Sequence, residues 1–193
     1  MRLMKLALLA VLIACTSAFA APIYYYADLG NFENPATGSA GTGVALISID
    51  TVTHLLTVDV TFTGLGAGVT AAHIHCCVAA PGNVGVATTT PTFPGFPSGV
   101  TSGSYSNTFD LTLASSFRAG FITANGGTAA SAEAVLATGL AAGEAYFNIH
   151  TTTFPGGEIR GFLVPVPEPA TYALTGIALV GIAIGRRRRS RLN

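Results

Sequence analysis

The sequence predicts an all-β fold: an antiparallel β-sandwich, Greek-key or immunoglobulin-like, with one short helix. Three observations predict it. Runs of alternating apolar and polar residues recur between clusters of glycine, proline and threonine. β-Branched and aromatic residues fill those runs, and Ala129 to Leu140 is the single helix candidate. Half of the 193 residues are hydrophobic, which is ample for one core in a domain flanked by targeting segments.

Residues 1–20 read as a signal peptide. Arg2 and Lys5 precede an apolar run from Leu6 to Ala14, and Ala18-Phe19-Ala20 is the small-x-small pattern that signal peptidase accepts. Cleavage is expected after Ala20, with an uncleaved anchor as the alternative. It would remove Cys15 and place Cys76 and Cys77 in an oxidising compartment.

Within the expected domain, 22–164, Ile23 to Leu29 reads as a first strand and Gly30 to Gly43 as a loop. Val44 to Asp50 and His54 to Thr63 form a hairpin, with Leu56, Val58, Val60 and Phe62 directed inward and His54 read as a solvated residue beside the turn. Val69 to Cys77 is a further strand, and Ala80 to Gly103 a long loop turned by Pro91, Pro94, Gly95, Pro97 and Gly99. Tyr105 to Leu113 and Phe117 to Thr123 read as strands. The helix candidate follows, with Ser131 as its N-cap and Glu133 in its first turn. A closing hairpin spans Ala145 to Leu163, reversing at Pro155-Gly156-Gly157; the two-residue period puts Tyr146, Asn148 and His150 on one face.

Net charge is zero, but the signs are segregated. Basic residues crowd both ends, and Arg118 and Arg160 are the only strong cations between them, against an acidic middle. A nucleic-acid partner is excluded on that ground, because nothing here neutralises phosphates. Residues 165–193 form a tail: Val166-Pro167-Glu168-Pro169-Ala170-Thr171, an apolar segment from Tyr172 to Ile184, and Arg186 to Arg189. The segment is short for a bilayer core that needs roughly twenty residues, but cations directly after it hold that end in the cytoplasm and leave the domain outside.

This tail resembles the PEP-CTERM sorting signal of Gram-negative bacteria. The resemblance implies recognition at Pro167, Glu168 and Pro169 by an exosortase, an integral-membrane processing enzyme. It also implies transient anchoring in the inner membrane, then release to the cell surface or extracellular matrix.

His73 and His75 are one residue apart and share a strand face, a frequent metal grip; His150 is a candidate third ligand. Cys76 or Cys77 is a candidate thiolate ligand for copper or zinc, and the cysteines are alternatively a vicinal disulfide, a free thiol or a link to another chain. The plainer account has the histidines hydrogen-bonding to backbone, Asn148 or Tyr146. Glu158 and Arg160 lie two apart on one strand and read as a structural ion pair, with Asp59 and Asp110 as other partners for the arginine and a ligand carboxylate as the alternative.

Ala72-His73-Ile74-His75, Asn148-Ile149-His150-Thr151 and Pro155-Gly156-Gly157-Glu158-Ile159-Arg160-Gly161 together resemble the CHRD domain, named for its occurrence in chordin, over roughly Tyr24 to Leu163. Cys76-Cys77 departs from the Gly-rich turn expected at that place. A likeness to copper/zinc superoxide dismutase covers the His-x-His tripeptide and the β-sandwich architecture, and is a fold-level analogy only.

Two functional readings follow. One is a non-enzymatic surface protein that presents a β-sandwich to polysaccharide or matrix; no Ser-His-Asp set, carboxylate pair or phosphate loop points to catalysis. The other is a copper- or zinc-binding redox protein using His73, His75 and His150, with superoxide-dismutase-like activity as its enzymatic extreme.

Overall fold

The computed structural model describes residues 21–167; the expected signal peptide and apolar tail segment lie outside the described residues. In chain order the elements are β1 (Ile23–Leu29), β2 (Thr42–Asp50), β3 (Leu55–Thr63), β4 (Val69–Cys76), β5 (Gly103–Asp110), α1 (Ala119–Ala124), α2 (Ala129–Ala141), β6 (Ala145–Thr151), β7 (Ile159–Phe162) and β8 (Val164–Pro165). The strands make two antiparallel sheets, β5-β3-β2-β1-β8 and β4-β6-β7, as the alternating sequence pattern predicts. The chain crosses from one sheet to the other after β3, after β4, through the helical segment and after β7.

Alternation decides what lies between the sheets. Tyr25, Ala27 and Leu29 of β1, Ala45, Ile47 and Ile49 of β2, and Leu56, Val58, Val60 and Phe62 of β3 point inward and are buried. Ala72, Ile74, Phe147, Ile149 and Ile159 meet them from the second sheet. Phe93 and Phe96 come from the long loop after β4 and complete the core. Phe93 stacks on Phe147 with centroids 6.0 Å apart, and Phe96 packs on Tyr105 at 4.9 Å.

Four local expectations are corrected. Phe117 to Thr123 is not a strand: a 3-10 turn at Ala114–Ser116 precedes it, Phe117 makes only an isolated bridge with Thr88, and α1 begins at Ala119, with its buried Phe121 stacked on Phe117 at 6.5 Å between centroids. The N-cap of α2 is Thr128; Ser131 sits three residues on and completes a reciprocal capping box. Glu133 consequently falls in the second turn, buried, where it accepts from Nδ1 of His54 at 2.8 Å. His54, at φ 58°, thus ties the β2–β3 turn to α2 and is no free surface residue.

Leu136 and Leu140 turn α2 toward the core, and Gly139 lies directly against Cys76 and Cys77, which are joined in a vicinal disulfide. A β-carbon on Gly139 would collide with both sulfurs. Gly139→Ala is expected to lower stability by about 1–3 kcal/mol through overpacking, read as a lower urea midpoint at unchanged slope.

Candidate metal centre

In an ordinary sandwich the outer face of a sheet meets water; here the outer face of β4-β6-β7 is covered. Every residue of β6 is buried, on both faces. Antiparallel register sets His73, Asn148 and Arg160 in one row across the three strands, and His75, Tyr146 and Phe162 in the next. His150 lies two residues beyond Asn148 on the same face. The loops after β1, after β4 and between β6 and β7 close over this polar layer.

Each covering stretch offers backbone carbonyls, and each histidine takes one. His73 Nε2 donates to Pro91 O at 2.7 Å, His75 Nδ1 to Val84 O at 2.8 Å and His150 Nδ1 to Pro155 O at 2.9 Å. A carbonyl can only accept, so these bonds place the ring proton and leave the lone pair on the other nitrogen. The nitrogens left over are His73 Nδ1, His75 Nε2 and His150 Nε2, all buried and without a partner. The rings lie 5.2 to 6.0 Å apart between centroids, and one nitrogen from each is within 4.8 Å of the others. Two nitrogens on one tetrahedral zinc-sized ion lie about 3.4 Å apart, inside that limit.

Burial pushes His73 and His75 down to about 4, against the opposing pull of their carbonyl partners. His150 is also lowered by burial. The rings are therefore neutral at pH 7, the form that binds metal. Glu33 Oε1 and Asn148 Oδ1 are the other buried side-chain atoms without an accepted bond among the described residues, but these two side chains lie against each other, and the Asn148 amide supports the Glu33 carboxylate. With the ring protons placed as above, the three imidazole nitrogens carry lone pairs that a cation or a donor ligand would satisfy.

Arg160 is fully buried beside it. Nε donates to Phe32 O at 2.7 Å, one terminal nitrogen to Asn83 Oδ1 at 2.6 Å and the other to Pro81 O at 2.9 Å. Its carboxylate partner is Glu33, with Nε 3.6 Å from Oε2. Burial raises the Glu33 carboxyl above its usual range, and the neighbouring guanidinium only partly offsets this. The guanidinium also lies over Tyr146, 4.7 Å from the ring centroid, and Tyr146 in turn stacks on His75 at 4.7 Å.

The Glu158–Arg160 ion pair is therefore corrected. Glu158 precedes β7 and accepts instead from Ser39 Oγ and Thr151 Oγ1 at 2.7 Å and from Gly66 N at 2.6 Å. Burial alone would raise its carboxyl, but these bonds together hold it below the usual range. Asp59 and Asp110 are likewise not partners: Asp59 sits on the other sheet, and Asp110 caps its own turn at Thr112. Cys76 and Cys77 are not among the grouped ligands; Cys76 follows His75 and so points to the opposite face, into the core. Glu33, Asn83 and the three carbonyls were not foreseen, and a main-chain acceptor in a loop leaves no mark in the residue letters.

A two-sheet sandwich that hides a three-histidine cluster under its loops is the class of domain that this geometry defines. The chain belongs to the CHRD domain family, whose model matches residues 26–163. A PEP-CTERM protein-sorting motif matches residues 165–189, which marks the protein for export, C-terminal anchoring and processing by an exosortase at the cell envelope. Neither match is to an enzyme family. No curated protein and no solved structure is significantly similar to the chain.

Two outcomes are expected for the metal-free protein. Arg160→Met leaves Glu33 buried without its counter-charge and strips donors from two loops, so urea unfolding should show a loss of about 3–5 kcal/mol. The histidines make stability pH-dependent. An unfolded histidine binds its proton near 6.5, whereas His73 and His75 bind theirs at about 4. Between these values the unfolded state holds more protons, so stability is full above about 6.5 and falls as pH drops toward about 4. Replacing both by glutamine should flatten the urea midpoint across that window.

Proposed function

We propose that this exported domain is a surface-displayed binding module built around a transition-metal centre, with His73, His75 and His150 holding one copper or zinc ion. The observation that carries the reading is the set of three unpartnered imidazole nitrogens, each aimed by a carbonyl on the far side of its ring. Such outer partners orient metal-binding histidines in known sites. Three neutral nitrogen donors without carboxylate or thiolate suit copper and zinc and disfavour calcium or magnesium.

A three-histidine set leaves a fourth coordination position. A cavity of about 380 Å³ lined by Glu33, Asn83, Tyr146 and His75, among others, offers a small ligand a route to the cluster. That arrangement would serve ligand binding or redox exchange, and the residues of this chain supply orientation, desolvation and acceptors.

A second reading, a matrix-binding sandwich without metal, draws on the outer face of the first sheet, where Thr57, Thr61, Thr63, Ser104, Ser106 and Thr108 form a hydroxyl-rich surface. Metal analysis separates the two. Residues 21–167, loaded with zinc or copper and dialysed, should retain one ion per chain, and His73→Ala or His150→Ala should weaken affinity by about 100-fold or more. A parent that retains no ion, or variants that bind as tightly as the parent, would leave the matrix reading in place.

A further inference from the structure

We propose that the substrate segment of the exosortase reaches into the fold, so that β8 must leave the edge of the first sheet before the enzyme can grip the sorting motif. The domain match ends at residue 163 and the motif match begins at residue 165, yet residue 165 is the second residue of β8. Val164 pairs with Tyr26 and Pro165 with Tyr25. The next amide, on Val166, donates to Tyr24 O at 2.8 Å. Pro167, the first residue of the Pro-Glu-Pro sequence, follows directly. A residue spans at most about 3.6 Å of chain, so the motif starts within one residue of the sheet edge.

A processing enzyme that takes an extended peptide pairs with its backbone, and a strand already bonded into a ladder has those groups engaged. The last residues before the motif are in that condition. β8 is suited to letting go: it is two residues long, both side chains are exposed, and Pro165 has no N–H to give the ladder. Opening would stop at Leu163, which is fully buried and donates its N–H to Ala145 O at 2.9 Å. Release of β8 therefore withdraws no buried side chain from the core, and processing follows the population of the released form when opening is fast relative to cleavage.

The test staples the strand in the full chain. Tyr26 and Val164 are register partners, and such Cα pairs lie about 4.5–5.5 Å apart, inside the range a disulfide spans. Tyr26→Cys with Val164→Cys should cross-link on export. In cells that make exosortase, the stapled precursor should lose its tail about tenfold more slowly than the parent in a pulse-chase, with each single-cysteine chain at the parent rate. Inserting about six Gly/Ser residues between Val166 and Pro167 of the stapled chain should restore processing by carrying the motif clear of the fold. Processing of the stapled chain at the parent rate overturns the proposal. So does an insertion that fails to restore it, or a single-cysteine chain as slow as the stapled one.

Discussion

The polar layer depends on one buried guanidinium. Arg160 is attached to β7, but its donors reach Phe32 in the loop after β1 and Pro81 and Asn83 in the loop after β4. Its own backbone also exchanges hydrogen bonds with Gly30, at 3.0 and 3.1 Å. A single residue thus fastens two loops onto a sheet face that would otherwise be wet. A charge this deep is costly unless its donors are satisfied, and the carbonyl oxygens, Asn83 and Glu33 supply that satisfaction.

From that cover the properties of the histidines follow in sequence. Loops held down exclude water; exclusion of water lowers the histidine pKa values; neutral rings whose protons are pinned on carbonyls present their lone pairs inward. Tyr146 links the two halves of the layer. Its ring is sandwiched between Arg160 and His75, and its hydroxyl donates to Val84 O, the carbonyl that also holds His75.

Residues whose role is set by strand alternation were legible in the sequence. Leu56, Val58, Val60 and Phe62 point inward as their period requires, and His73, His75 and His150 come together because two adjacent strands carry them on one face. Residues whose role is set by distant loops were not. Glu158 and Arg160 are close in the chain and invite pairing, yet each buried charge needs several partners. Those come from Ser39 and Gly66 in one case and from Phe32, Pro81 and Asn83 in the other. Phe117 to Thr123 failed for a different reason: a short apolar run carries too few residues to separate a period of two from one of 3.6. Phe93 and Phe96 looked like loop residues because glycine and proline surround them, although their rings fill the end of the core.

The burial of Arg160 also changes what the domain presents to its surroundings. Across residues 21–167, eight carboxylates stand against two arginines, and only Arg118 of the two reaches the surface. The neutrality of the full chain comes from basic groups in residues 1–20 and 168–193, outside the described domain. Residues 21–167 by themselves carry a net negative charge. Such a net charge raises the local concentration of cations and speeds their arrival. The unprotonated nitrogens of His73, His75 and His150 lie beneath that acidic exterior.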